Sequence, residues 1–273
     1  MSALDQKIEM AADWIRSADA LLITAGAGMG IDSGLPDFRG PGGFWRVYPG
    51  LGRSNIGFYD IASPAAFKKD PRQAWGFYGH RLQMYRKTQP HEGFAILQDF
   101  GKRMRYGTFV FTSNVDGQFS KAGFDEKQLV ECHGSIHYLQ CLDNCSSRIW
   151  RDDAFEPVVD ELACRLLSAL PTCPDCGNLA RPNILMFDDW NWQPMRTEVQ
   201  EFQFAAWREK ARNLVVIELG AGTTIPSVRR KGENQRGKLI RINPHESSVG
   251  RDEAIGIASG ALSTLKALQA YVT

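Results

Sequence analysis

The chain of 273 residues is poor in cysteine, with six, and in net charge, with 32 Lys and Arg against 31 Asp and Glu. The charge balance leaves no electrostatic footprint for nucleic acid or an anionic membrane. Arg229-Arg230-Lys231 is a short local exception. No apolar run reaches the ~18 residues that a membrane-spanning helix needs. The first ten residues carry Asp5 and Glu9 and lack the apolar core of a signal peptide, so a cytoplasmic protein is expected. Internal repeats and low-complexity tracts are also missing. Six cysteines are too few for a disulfide scaffold at this length, and their clustering says more than their number. What is present fits a folded protein: 15 Phe, 7 Trp and 7 Tyr can fill a sizeable core. The length suggests one large domain, or a large one with a smaller insert.

The chain alternates helical and strand patterns. Leu4, Ile8, Ala11, Ala12 and Ile15 recur at helical spacing over 4–16. The apolar run 20–24 enters the glycine loop 25–30 and reads as a buried strand of a parallel sheet. Residues 64–100 read as helical, with starts at Ser63-Pro64 and Asp70-Pro71, where proline suits the first turn. Further buried strands are expected at 108–112, 128–132, 214–219 and 239–242. A closing helix carries Leu262, Leu265 and Leu268. The pattern predicts an α/β fold: a Rossmann-like parallel sheet with helices on both faces, a helical insert and a small cysteine-bearing unit. The expected division is 1–37, 100–135 and 187–273 for the sheet domain, 38–99 for the loop and helical insert, and 136–186 for the small domain.

Four constellations carry chemistry. Gly26-Ala27-Gly28 lies between a strand and a helix, where backbone N–H groups can meet a pyrophosphate. Ile31 stands where a dinucleotide fingerprint has its third glycine, and no acid follows ~20 residues on to hold a ribose. A tight turn is the alternative. Cys141-x3-Cys145 and Cys173-x2-Cys176 are two short-spaced pairs that can converge on one tetrahedral zinc, with no open position left for catalysis. Cys132 and Cys164 are left over and read as small buried residues. Asn114 and Asp116 follow one strand and His133 another, where ligands bind in open parallel sheets. An Asx turn and a packed or capping histidine are the structural alternatives.

Taken in order, these pieces resemble the sirtuin family of NAD-dependent protein deacylases. The resemblance rests on Gly26-Ala27-Gly28 with 33–40 (Ser-Gly-Leu-Pro-Asp-Phe-Arg-Gly), Thr112 to Asp116 with Ala122-Gly123, and His133-Gly134-Ser135. The cysteine pairs follow, then Leu179 and Arg181-Pro182. It runs from about residue 20 to 262 and fits a somewhat divergent, bacterial-type member.

The resemblance implies an NAD site. Gly26, Ala27 and Gly28 would lie at the pyrophosphate. Asp37, Phe38 and Arg39 would sit on a loop beside the nicotinamide ribose. Ser113, Asn114 and Asp116 would form the nicotinamide pocket, and Gly220, Ala221, Gly222, Asn243 and Ala258 would hold the adenosine half. His133 would be the general base on a ribose hydroxyl, with Asn114 and Asp116 completing the catalytic set. Products would be nicotinamide, free lysine and O-acyl-ADP-ribose. The acylated protein would bind as an extended peptide, with Phe187 at the cleft edge and a monomer the favoured state. Tyr78 and Arg81 would line the acyl pocket, where an arginine can grip a succinyl or malonyl carboxylate; an ordinary helix surface is the alternative. Ser113 stands where the family has Gln, Gly220-Ala221-Gly222 where it has Gly-Thr-Ser, and Asp188-Asp189 where it has Gly-Glu. The Gly-Ala-Gly form is similar to a sirtuin branch that transfers ADP-ribose to protein, so a protein mono-ADP-ribosyltransferase is the alternative function.

Overall fold

The computed structural model describes residues 2–36 and 41–272. Its strands are β1 (Ala20–Ala25), β2 (Thr108–Thr112), β3 (Leu129–Glu131), β4 (Gly134–Cys141), β5 (Ile149–Arg151), β6 (Val159–Asp160), β7 (Arg165–Leu166), β8 (Ala180–Ile184), β9 (Leu214–Leu219), β10 (Lys238–Ile242) and β11 (Ala254–Ile257). Six of them form one parallel sheet in the order β11-β10-β9-β1-β2-β3. This is the doubly wound order, and its switch point falls between β1 and β9, where Ile23 lies opposite Ile217. Every residue of β1, β2 and β9 is buried, as a parallel sheet covered on both faces requires.

Side chains alternate between the two faces. Leu21 and Ile23 point into a core with Ile8, Ala12 and Ile15 of the helix Ala3–Ser17, Phe94 and Leu97 of Gly93–Lys102, and Leu265 and Leu268 of Ala261–Val272. Ala20 and Leu22 point into the opposite core, with Phe204 and Trp207 of the helix Met195–Arg208. The five strands read from sequence therefore stand, as do the first and last helices. The sixth strand of the sheet, β11, was not anticipated: Gly256 sits in its middle because a Cβ there would lie 2.1 Å from the Ser247 carbonyl oxygen. The helix Met195–Arg208 was also missed. Its buried face mixes Thr197 and Gln200 with Phe204 and Trp207, while Met195, Val199 and Phe202 are exposed, which blurs the usual pattern.

The region 64–100 forms three helices, Pro64–Lys69, Pro71–Lys87 and Gly93–Lys102. Ser63 Oγ accepts from the Ala66 amide and an Asp70 carboxylate oxygen accepts from the Gln73 amide, so both anticipated starts are capped, with proline in the first turn. The cysteine-bearing unit is an antiparallel sheet in the order β5-β4-β8, plus the β6–β7 hairpin. It shares one core with the helical insert: Phe44, Phe67, Trp75, Phe77 and Tyr78 pack with Leu139, Leu166, Ile184 and Met186. Among the described residues, no helix is long and apolar enough to cross a membrane.

At the switch point the loops after β1 and β9 interlock. The Gly28 amide donates to the Gly220 carbonyl at 3.1 Å, and the Gly26 amide donates to that of Leu219 at 2.9 Å. A Cβ on Gly28 would lie 2.6 Å from Gly220 Cα, and one on Gly220 would lie 2.4 Å from Gly28 Cα. Gly220 also has φ +57°. Gly28→Ala is therefore expected to destabilise the protein by about 2 kcal/mol or more. Gly250→Ala, whose Cβ meets nothing within 4 Å, should change stability by less than about 0.5 kcal/mol. Equal urea midpoints for the two variants would contradict the interlock.

Candidate active site

The residues singled out from sequence converge on one edge of the sheet. Gly26, Ala27 and Gly28 follow β1; Ser113, Asn114 and Asp116 follow β2; His133 follows β3. Gly220, Ala221 and Gly222 follow β9, Asn243 follows β10 and Ala258 follows β11. All are at the carboxyl ends of parallel strands, astride the switch point. Asp37, Phe38 and Arg39 lie outside the described residues.

Side-chain hydrogen bonds fix this rim. Thr112 Oγ1 donates to the Ala25 carbonyl at 2.8 Å and accepts the Asn114 amide at 3.0 Å. Asn114 Nδ2 donates to the Gly26 carbonyl at 3.0 Å, joining the β2 loop to the first glycine loop. On the other side the Ala221 carbonyl accepts from Asn243 Nδ2 at 3.0 Å and Arg229 Nε at 3.1 Å. Asn243 Oδ1 in turn accepts the amides of His245 and Glu246, both at 3.0 Å. Arg229 had read as part of a basic run. It is instead buried behind the second glycine loop, and Lys231 pairs with Glu201 at 2.7 Å. Sequence could not assign Arg229 to this site, because the Ala221 carbonyl and Glu246 that it meets are brought up by the fold.

Three titratable groups here feel burial. Asp116 is 7% exposed. Burial pushes its carboxyl up to about 6, opposed by the Gln118 amide it accepts at 2.9 Å and by the Arg81 cation. Glu131, two residues before His133, is pushed to about 7 by burial, although Arg196 approaches to 2.6 Å. Burial lowers the His133 pKa and so favours the neutral imidazole. Its ring makes no hydrogen bond among the described residues.

The four cysteine sulfurs of Cys141, Cys145, Cys173 and Cys176 lie within 4.8 Å of one another. Cys141 and Cys176 are 3.7 Å apart, and Cys145 and Cys173 are 3.5 Å apart. Zinc–sulfur bonds of ~2.3 Å in a tetrahedron place sulfurs about 3.8 Å apart, so the set fits one zinc with every position filled by protein. Cys132 and Cys164 stand apart; burial raises both thiols to about 12, in keeping with inert packed side chains.

Two of the substrate candidates, Tyr78 and Arg81, lie on the insert helix Pro71–Lys87, and the third, Phe187, follows β8. Tyr78 is 1% exposed and stacks on Phe67 with centroids 5.5 Å apart. Arg81 lies over the Phe77 and Tyr85 rings and donates to the Tyr85 hydroxyl through Nε at 2.9 Å and Nη2 at 2.6 Å. Phe187 packs on Tyr59 at 4.2 Å, and its amide donates to the Ala62 carbonyl at 3.0 Å.

Residues 26–217 match the model of the Sir2 family. The chain belongs to the Sir2 family. An NAD-dependent protein deacylase of Pyrococcus furiosus is 34% identical over 240 residues, covering 86% of this chain and 85% of that protein. A protein of Fusarium oxysporum described as a probable bifunctional ADP-ribose hydrolase/ADP-ribosyltransferase is 31% identical over 260 residues, covering 86% of this chain and 42% of that one. A crystal structure of a Sir2 homologue in complex with NAD superposes with a TM-score of 0.71 over 97% of this chain and 93% of that chain, at 23% identity. The last likeness shows the sirtuin fold. The family match and the Pyrococcus relative bear out the resemblance read from the sequence.

The buried acid and the cysteine cluster can each be tested by substitution. An ordinary aspartate has a pKa of 3.8, so holding Asp116 ionised in the fold above pH 6 costs about 3 kcal/mol. The folded pKa is the raised one, so this penalty grows as pH rises from about 4 to 6 and is constant beyond. Asp116→Asn should therefore be more stable than the wild type at pH 7.5, with the gap closing toward pH 4; a gap independent of pH in urea unfolding would refute the burial argument. In the cysteine unit, Cys173→Ser should abolish stoichiometric zinc and lower the melting midpoint by on the order of 10 °C. A metal-free variant with an unchanged melting curve would show the cluster to be dispensable.

Proposed function

We propose that this chain is an NAD-dependent protein-lysine deacylase. The observation that carries the reading is the convergence of Asn114, Asp116 and His133 with two interlocked glycine loops on one sheet edge, in a chain of the Sir2 family. NAD, when bound, supplies the anomeric carbon that the acyl oxygen attacks as nicotinamide leaves. The two glycine loops would let its phosphates approach the backbone closely, and Asn243 and Ala258 would lie beside the adenosine half. Ser113, Asn114 and Asp116 would line the nicotinamide end. Neutral His133 takes the proton from a ribose hydroxyl, a task its buried, lowered pKa suits. Zinc on the four cysteines holds the small unit together and leaves no open coordination position for the reaction. The substrate is an extended peptide, carried in the cleft beside Phe187 by main-chain pairing. Six cysteines with no disulfide among the described residues suit the reducing cytoplasm.

Acetyl is the acyl group this geometry favours over succinyl and malonyl. Tyr78 is packed into the core, and two Arg81 donor groups are held by Tyr85. A bidentate grip on an acidic acyl group would require both to rearrange. A second reading, ADP-ribosyl transfer to protein, is favoured by the Gly220-Ala221-Gly222 loop and by the similarity to the Fusarium protein.

Mass spectrometry of products formed from NAD with acetyl- and succinyl-lysine peptides separates these readings. Free lysine with O-acetyl-ADP-ribose is expected, with succinyl turned over more slowly. His133→Ala should lower deacetylation by about 10²-fold or more while NAD binding stays within a few-fold. A protein acceptor that gains ADP-ribose with its acyl group intact would select the transferase instead. NAD binding that falls in step with turnover would defeat the assignment of His133 as base.

A further inference from the structure

The segment 184–191 joins β8 to the turn before the helix Met195–Arg208, and it is tied to all three parts of the molecule. The Leu185 amide donates to the His133 carbonyl at 2.9 Å, on the sheet side. The Phe187 amide donates to the Ala62 carbonyl of the insert at 3.0 Å. Its own shape is set from within the cysteine unit. Arg181 of β8 meets Asp189 bidentately, with Nη1 2.8 Å from Oδ2 and Nη2 2.8 Å from Oδ1, and both side chains are fully buried. Arg181 Nη1 also donates to the Ile184 carbonyl at 3.3 Å. Asp189 Oδ1 accepts the Asn191 amide at 3.2 Å and Oδ2 accepts that of Met186 at 3.4 Å. Between them Asp188 adopts φ +53°, a conformation that needs its surroundings to hold it.

The neighbouring strand leaves no slack. Gly134, immediately after His133, has φ +75°, and a Cβ on it would lie 2.0 Å from the Asn183 carbonyl oxygen. The backbone at 183–185 therefore rests directly on His133-Gly134. A shift of the segment must move the histidine's main chain or break the Leu185 bond.

We infer that Arg181 and Asp189 are positioning residues, a buried ion-paired clamp that sets the 184–191 segment against His133 and so fixes the cleft edge that receives the acyl peptide. The inference rests on the deacylase reading for its kinetic form. The clamp does not touch the glycine loops, so it should act on peptide and not on NAD. Removing its charge leaves Arg181 buried without a counter-ion, with its Nε already lacking a partner among the described residues.

The test compares Asp189→Asn and Asp189→Glu with the wild type, measuring KM for an acetyl-lysine peptide and for NAD. For Asp189→Asn the peptide KM is expected to rise about tenfold and the NAD KM to stay within about twofold. Asp189→Glu, which keeps the carboxylate, should fall between Asn and wild type. A merely structural loss would move both constants together, and that outcome overturns the clamp, as does an unchanged peptide KM in both variants. Hydrogen exchange at the Leu185 amide provides a readout independent of activity. It should accelerate at least about tenfold in Asp189→Asn, while amides within β1 and β9 keep their protection, and equal exchange at Leu185 overturns the inference. Should Asp189→Asn not fold, Asp189→Glu alone decides: a peptide KM and a Leu185 exchange rate both equal to wild type would reject the clamp. A wild-type enzyme that deacylates no peptide, yet shows the exchange effect in the variants, would remove the deacylase reading and leave the clamp standing.

Discussion

The contact on which the rest depends is backbone against backbone at the sheet's switch point. Gly28 and Gly220 approach so closely that neither tolerates a Cβ. The loops after β1 and β9 consequently sit as one bonded platform, with Gly28 donating to Gly220 and Gly26 to Leu219. Glycine in such loops is usually explained by the ligand it admits. Here the protein's own packing requires it before any ligand binds. The two explanations reinforce each other, since a platform stripped of side chains also lets a ligand come close to the backbone.

From that platform the polar rim is built outward by single side chains that bond to carbonyls. Thr112 and Asn114 link β2 to β1, and Asn243 and Arg229 converge on Ala221. Each of these four side chains is thereby satisfied by a carbonyl that follows or ends a neighbouring strand. Burial has a second consequence, because it raises the Asp116 carboxyl to about 6 and lowers His133. An acid that is costly to ionise is a stability burden that an inert sheet edge would not carry. Such a burden is common where chemistry is done.

Much of this was legible because parallel strands buried on both faces leave continuous apolar runs, and polar residues just beyond them mark the carboxyl edge. That logic placed β1, β2, β9 and β10 and the residues that follow them. It failed at β11, where Gly256 interrupts a short edge strand to let Ser247 pass, and at Met195–Arg208, whose buried face carries Thr197 and Gln200. The cysteine spacing was legible because four sulfurs at one centre are a local demand. The Gly28–Gly220 contact was not, since the two glycines are 192 positions apart in the chain. Tyr78 and Arg81 are a different case: the family resemblance implied an acyl pocket, and what the fold adds is that the tyrosine stacks on Phe67 and the guanidinium donates to Tyr85.

The same reasoning explains how a zinc-bearing unit with no open coordination position can still matter to the site. Zinc would tie Cys141, at the end of β4, to Cys173 and Cys176, which lie shortly before β8. β4 begins at Gly134, next to His133, and pairs with β8 at both its ends, across a register shift between Ser135 and Leu139. β8 carries Arg181, which holds Asp189 and with it the segment bonded to the His133 carbonyl. The path is continuous covalent chain and paired backbone, with one buried ion pair at its end. Loosening the metal centre would therefore free the β4–β8 pairing first and the cleft edge beside His133 next. The glycine platform, built on a separate sheet with separate cores, would be the last part to feel it.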